Sequence, residues 1–312
     1  MARAILALNT LYPLGLEALE KEFELIKLSR ESDPENAIQQ HRNDIVAIIA
    51  GPGNHVSRKL IEALPALEMI GIFAVGTDNV DLEAARERSI LVTNTPDILT
   101  ADTADIALAL LLAVTRRVVE GDAYIRIGKW LNGPMPLGVS LAGKTVGIVG
   151  LGRIGQAIAK RLTAFDMRVV YHGRSKKDVP YKFYPQLLEM AQDIDFLVLS
   201  CAGGTETKGL VGEAVLKLLG VNGFLINVAR GSVVDEEALL VALRNKDIAG
   251  AGLDVFANEP FVPEALYSMD NVVLLPHTGS ATTETRSKMA ALVIENIRAH
   301  FEGKPLKTLV AV

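Results

Sequence analysis

Val146-Gly147-Ile148-Val149-Gly150-Leu151-Gly152-Arg153-Ile154-Gly155, continued by Gln156-Ala157-Ile158-Ala159-Lys160-Arg161-Leu162, decides how this chain is read. A short β-branched run reads as a buried strand, breaks at glycines and passes at once into a helical pattern. Gly150, Gly152 and Gly155 stand at the spacing G-x-G-x-x-G. The first glycine permits a tight turn and the second lets backbone approach a pyrophosphate. The third lets helix and strand pack closely, with the helix N-terminus facing the anion. Glycine triplets match by chance in many turns, so the strand before and the helix after give this one its meaning. The stretch predicts a dinucleotide site.

Strand and helix patterns alternate on both sides of it. Towards the N-terminus, residues 4–8, 23–28, 45–50, 69–74 and 90–92 are strand-like, and 14–22 and 81–88 are helical. A polar segment around 34–42 separates two of the strands. This βαβ rhythm implies a parallel sheet covered on both faces. No glycine fingerprint occurs in this half, which points to a different ligand role. A long helix follows, with Thr100 as N-cap, Asp102 in its first turn, and Arg116 and Arg117 towards its far end, a charge order that suits the helix dipole. The turn-rich segment 128–143, with Trp130, Pro134 and Pro136, reads as a linker or protruding loop between lobes. Beyond the fingerprint, strands are expected at 168–171, 196–200, 224–228, 248–252 and 272–275, with helices between most of them, notably 236–243. A last helix, 282–301, comes after that sheet is complete and can cross back to the first lobe.

At 312 residues the chain is too long for one ordinary core. The expectation is an α/β protein of two doubly wound parallel-sheet domains with a cleft between them. Residues 1–99 with 284–312 form a substrate domain and 100–283 a dinucleotide-binding domain. Hydrophobic residues make up 49% and charged residues 22%, a globular balance rather than a disordered one. A net charge of −5 gives no general attraction to nucleic acid or membrane phosphates. No apolar run approaches a bilayer span, and the N-terminus enters a strand pattern without a signal-peptide layout. The single cysteine, Cys201, excludes an internal disulfide and fits a reducing compartment. These features predict a soluble cytoplasmic protein without nucleic-acid or membrane partners. No Cys/His cluster has metal-ligand spacing, so no metal is expected.

The loop after the second strand bears on the choice of dinucleotide. An Asp or Glu there would bind a ribose 2′-hydroxyl and repel a 2′-phosphate. Here the strand ends in His172-Gly173-Arg174-Ser175-Lys176-Lys177, with no carboxylate before Asp178. Arg174 can bind a 2′-phosphate through charge-assisted hydrogen bonds and Ser175 can donate another. A solvated basic loop is the plain alternative. The position favours NADPH, with NADH as the alternative cofactor.

Three polar residues each follow a strand, at the end where open α/β sheets bind ligands. Arg230 lies in Asn227-Val228-Ala229-Arg230-Gly231, Glu259 in Asp254-Val255-Phe256-Ala257-Asn258-Glu259-Pro260, and His277 in Leu275-Pro276-His277-Thr278-Gly279-Ser280. Singly, each would be an ordinary turn or structural residue; together, beside a cofactor motif, they read as an active site. His41, His55 and His300 have no supporting motif, and His172 is a candidate cofactor neighbour. Cys201 also follows a strand. It lacks the setting of a nucleophile and reads as a small residue lining the cofactor.

The combined motifs resemble the D-isomer-specific 2-hydroxyacid dehydrogenases, from Val75-Gly76-Thr77-Asp78-Asn79-Val80-Asp81 to the final helix. Within that family Gly128-Lys129-Trp130 and Gly173-Arg174-Ser175 resemble glyoxylate/hydroxypyruvate and hydroxyphenylpyruvate reductases. The resemblance implies a Rossmann-type nucleotide domain and a flavodoxin-like substrate domain. It implies that Arg230 holds a 2-oxo acid, that protonated His277 is the acid/base, and that Glu259 orients the imidazole. Backbone N–H groups of Val75 and Gly76 resemble the family's carboxylate cradle. Further cofactor contacts are implied at Thr103, Leu151, Arg153, Ile154, Cys201, Ala202, Thr207, Val228, Ala229, Asp254 and Gly279, with a structural cap as the competing role for Asp254. Trp130 resembles a residue that reaches the neighbouring subunit's site, which implies a homodimer. The expected activity is NADPH-preferring reduction of small 2-oxo acids, glyoxylate and hydroxypyruvate first, to D-2-hydroxy acids. The alternatives are a hydroxyphenylpyruvate reductase or other D-2-hydroxyacid dehydrogenase, and a non-enzymatic dinucleotide-binding corepressor or sensor. Intact Arg230, Glu259 and His277 argue against the latter. Relatives that oxidise formate or phosphite form a further possibility, and Glu259 argues against the formate branch.

Overall fold

The computed structural model describes residues 3–8, 16, 19–28 and 31–311. It divides into two compact units, residues 1–99 with 281–312 and residues 100–280.

Among the described residues of the first unit, five parallel strands, β1 (Ala4–Ala7), β2 (Glu24–Lys27), β3 (Ile45–Ala50), β4 (Met69–Ile72) and β5 (Leu91–Thr93), stand in the order β2-β1-β3-β4-β5. Strands β1, β3 and β4 are buried at every position, as a sheet covered on both faces requires. The polar segment 34–42 folds as α1 (Pro34–Gln40). Asp33 caps this helix by accepting from the Asn36 N–H at 3.1 Å, and Pro34 sits in its first turn, where no N–H is missed. Helix α2 (Arg58–Ala63), capped by Ser57, joins β3 to β4 and was not expected. Helix α3 (Leu82–Glu87) starts at Asp81, whose side chain accepts from the Ala84 N–H at 2.8 Å. Of the helix expected at 14–22, residues 14, 15, 17 and 18 lie outside the described residues; Leu16 and Leu19 are helical and buried, and 20–22 are already in a turn.

The second unit opens on α4 (Thr100–Thr115), in which Thr100 is the first helical residue rather than the cap. The helix stops before Arg116 and Arg117. Arg117 takes a left-handed conformation, φ +52°, and starts a separate helix, α5 (Val118–Arg126), so the two arginines do not lie within the last turn of α4. Segment 128–143 belongs to this unit and is no linker between lobes; it carries a short helical turn, Lys129–Asn132. Then come β6 (Thr145–Val149), α6 (Arg153–Thr163), β7 (Arg168–His172), β8 (Lys182–Tyr184), α7 (Leu187–Gln192) and β9 (Phe196–Leu199). The unit continues with α8 (Glu213–Leu219), β10 (Phe224–Asn227), α9 (Glu236–Asn245), β11 (Gly250–Leu253) and β12 (Val272–Leu274).

Its seven parallel strands run β12-β11-β10-β9-β6-β7-β8. The chain builds outward from β6 to β8, then crosses to β9 and builds the other way. The reversal between β6 and β9 is the switch point at which doubly wound sheets open a ligand crevice. Helix α6 buries Gly155, Ile158, Ala159 and Leu162, the i, i+3, i+4, i+7 stripe that ties it to the sheet. Ile158 and Leu162 each contribute roughly 1.5–3 kcal/mol by that burial.

The last helix, α10 (Thr283–Phe301), is capped by Thr282 and belongs to the first unit. It packs on β4, where a side chain at Gly71 would meet Val293 at 3.1 Å. Among the described residues no helix is long and apolar enough to cross a membrane.

Candidate active site

At the end of β6 Gly150 has φ +90°, a conformation open to glycine, and a side chain there would run into the Cys201 backbone. Its N–H donates to His172 O at 2.9 Å, and its carbonyl accepts from Ser200 Oγ at 2.8 Å. A side chain at Gly155 would collide with the Gly150 carbonyl, whereas one at Gly152 would meet nothing within 4 Å. Gly152 is the N-cap of α6 and gives no side-chain hydrogen bond to its first turn, and the space a side chain would take at Gly152 is open. Space in front of unsatisfied helix N–H groups is what a pyrophosphate needs. The residues present fit a dinucleotide.

The bond from Gly150 to His172 places the 173–175 loop beside this turn. Gly173 is half-buried, and Arg174 and Ser175 are exposed. The His172 ring is 3.0 Å from Tyr184 O through Nδ1 and so braces the edge of the sheet. On the other side of the switch point, burial pushes the Cys201 thiol up to about 11. It stays protonated at neutral pH, which removes a nucleophilic role. Thr207 Oγ1 donates to Ala202 O at 2.8 Å and so closes its own loop.

At the end of β10, buried Asn227 accepts from the Ala229 N–H at 3.0 Å and donates to Arg230 O at 2.9 Å. This fixes Val228, Ala229 and Arg230, and Arg230 Nη1 donates to Ala229 O at 2.8 Å. No role for the Asn227 side chain was read from its motif; an amide ending an apolar strand was the available signal. Arg230 acts electrostatically on both Cys201 and Glu259, so these strand ends converge.

Beyond β11, the Asp254 carboxylate accepts from the Thr278 N–H at 2.6 Å, Thr278 Oγ1 at 3.1 Å and the Gly279 N–H at 2.8 Å. Its carbonyl accepts from the His277 N–H at 2.8 Å. Burial raises the carboxyl pKa, and those donors oppose the rise. A side chain at Gly279 would touch Asp254 and buried Thr103, so α4 abuts the same turn.

His277 follows β12 with φ +53°. Its Nδ1 lies 2.6 Å from Glu259 Oε2, and Glu259 Oε1 accepts from the Phe256 N–H at 3.0 Å. Burial works to raise the Glu259 pKa, but the hydrogen bond and charge of His277, with the Phe256 N–H and Arg230, leave it below the ordinary range. The ionised carboxylate fixes the proton on Nδ1 and turns Nε2 outward from the pair.

The second unit thus brings together the glycine turn, the 173–175 loop, Cys201, Arg230, Asp254, Glu259 and His277. Val75 and Gly76 follow β4 in the first unit, where Val75 O accepts from Asn94 Nδ2 at 2.8 Å. Trp130 stands on its helical turn, 68% exposed.

Residues 108–279 match the family model described as D-isomer specific 2-hydroxyacid dehydrogenase, NAD binding domain. The chain is 47% identical over 293 residues to glyoxylate/hydroxypyruvate reductase A of Arabidopsis thaliana, covering 94% of each chain. It is 45% identical to hydroxyphenylpyruvate reductase of Plectranthus scutellarioides, again over 94% of each. Among solved structures, an NADPH-dependent glyoxylate/hydroxypyruvate reductase of Sinorhizobium meliloti, in complex with NADP and malonate, superposes with a TM-score of 0.91 at 42% identity. That match covers 100% of this chain and 97% of the other. With the glycine turn at the sheet's switch point and relatives matched along nearly their whole length, this chain belongs to the D-isomer specific 2-hydroxyacid dehydrogenases and is an NAD(P)-dependent oxidoreductase of that family.

Proposed function

We propose that the enzyme is an NADPH-preferring reductase of small 2-oxo acids, glyoxylate and hydroxypyruvate first, that yields D-2-hydroxy acids. The observation that carries this reading is the 2.6 Å contact between Glu259 and His277 in the unit that holds the glycine turn. The cofactor would be held by the first turn of α6, by Arg174 and Ser175 at a 2′-phosphate, and by residues at the ends of β9 to β12. When bound, the nicotinamide supplies a hydride.

Arg230 binds the 2-oxo acid with its guanidinium fork and stabilises negative charge growing on the carbonyl oxygen. His277, protonated, gives that oxygen its proton from Nε2. Glu259 holds the ring by Nδ1 and balances the imidazolium charge until the proton has left. Asp254 holds the backbone on which His277 stands. Exposed Arg174 in a loop without a carboxylate supports NADPH, as does the NADP held by the similar Sinorhizobium enzyme. The substrates named for the Arabidopsis relative support the substrate class.

Steady-state kinetics test the reading. Arg230→Ala and His277→Ala are each expected to lower kcat/KM by about 10²–10⁴-fold while NADPH still binds. Glyoxylate and hydroxypyruvate are expected to exceed 4-hydroxyphenylpyruvate and pyruvate in kcat/KM, and NADPH to exceed NADH. Unchanged turnover in either variant defeats the mechanism. A reversed substrate order moves the enzyme to the hydroxyphenylpyruvate group, and no turnover on any 2-oxo acid makes it a sensor.

A further inference from the structure

Glu259 stands on a turn that no helix or strand holds. Residues 254–261 leave β11 and reach the helical turn Glu264–Ser268 only after a short bridge between Asn258 and Phe261. One Glu259 oxygen is used on the Phe256 N–H and the other on His277, so the plane of the carboxylate follows the backbone of Phe256. Something must fix that backbone.

Two groups do so from one direction. Gly231, directly after Arg230, packs so tightly on the Phe256–Ala257 peptide that any side chain there would overlap Phe256 C and O and Ala257 N. Glu236, the first residue of α9, then reaches across 21 positions to accept the Ala257 N–H through Oε1 at 2.8 Å. A peptide unit is planar and rigid, so holding the Ala257 N–H also sets the Phe256 carbonyl. Adjacent amides are thus held by two carboxylates, Phe256 by Glu259 and Ala257 by Glu236. The start of α9 has no need of Glu236 for capping, since Asp235 already accepts from the Ala238 N–H at 3.1 Å.

We propose that Glu236 is a positioning residue for the Glu259–His277 pair, holding through Ala257 the turn from which Glu259 meets the imidazole. The inference rests on the reading of that pair as the acid/base machinery. Glu236 acts through Ala257 and Glu259.

Glu236→Ala removes the acceptor, Glu236→Asp keeps the charge but shortens the reach, and Glu236→Gln keeps an oxygen at the same distance. The readouts are kcat and KM for glyoxylate, the pH profile of kcat/KM with NADPH, and NADPH binding by fluorescence titration. Glu236→Ala and Glu236→Asp are expected to lower kcat by about ten- to a hundredfold, the scale of a small misplacement of catalytic groups. They are also expected to move the alkaline limb of the profile to lower pH, with NADPH affinity within about twofold of wild type. The charged groups facing His277 are Glu259 and Asp254, with Arg230 acting through Glu259, and a displaced Glu259 alters the first of these. Glu236→Gln is expected to restore rate and limb.

A merely structural glutamate would lower the melting temperature and leave the limb in place. The proposal is overturned by a wild-type kcat and unmoved limb in folded Glu236→Ala or Glu236→Asp, or by Glu236→Gln failing as badly as they do. His277→Ala and Glu259→Gln run in parallel. If these remain fully active, the reading of the pair falls; if they are crippled while Glu236→Ala is normal, only the present inference falls.

Discussion

His277 occupies a backbone conformation that costs an L-residue roughly 1–2 kcal/mol, and Asp254 supplies what offsets it. Hydrogen bonds to a charged group are worth roughly 1.5–3 kcal/mol each, and the carboxylate accepts three from the two residues after the histidine. The imidazole is therefore aimed by backbone as much as by Glu259. Arg174 stands in the opposite situation, exposed at the end of β7 with its role resting on charge alone. Arg174→Ala is expected to weaken NADPH binding about tenfold and leave NADH within about twofold, read by fluorescence titration at fixed salt. Equal weakening of both would assign the loop to the shared part of the cofactor or to the fold. Arg230, Glu259 and His277 could be singled out from sequence because each follows an apolar strand within a short polar motif. The bonds of Asn227, Asp254 and Glu236 could not, since they join a side chain to a backbone amide or carbonyl and leave no periodic or compositional trace.

At the scale of the element, β6, its glycine turn and α6 separate what the fold needs from what a ligand needs. A side chain at Gly155 would strike the Gly150 carbonyl and drive the helix off the strand, whereas a side chain at Gly152 would enter open space. Gly155→Val is expected to lower stability by about 1–3 kcal/mol together with cofactor affinity. Gly152→Ala is expected to leave the melting temperature unchanged and weaken NADPH binding at least about tenfold. Thermal melts beside cofactor titrations check both, and a stable Gly152→Ala that binds NADPH normally would move the pyrophosphate elsewhere. The central strands were legible because each is an apolar run bounded by turn residues. Helix α1 buries only Ala37 and α5 buries no residue, so neither carries the apolar stripe that reveals a helix, and the three-residue edge strand β8 is too short to show alternation.

On the scale of the whole molecule, exposed apolar side chains gather in one stretch of chain. Val118, Val119, Ile125, Ile127, Trp130, Leu131 and Leu137 are all at least half exposed, the last two above 90%. A short helix with nothing buried is not stable on its own account, and we propose that a second copy of the chain covers this surface. Leu131→Asp with Leu137→Asp is expected to turn a homodimer into monomers by light scattering. A wild-type monomer, or a variant that stays dimeric, would refute that assembly. The division read from the sequence, 1–99 with 284–312 and 100–283, rests on a last helix left over once the second sheet is complete, because nothing in that helix's own pattern says which sheet it covers. Here it covers the first, beside β4, and the chain returns once more to lay Val310 against Val92 through a 2.8 Å hydrogen bond. The order of synthesis follows from this. A ribosome has made all of residues 100–280 before Thr283 appears, so the strands translated first wait for the helix translated last.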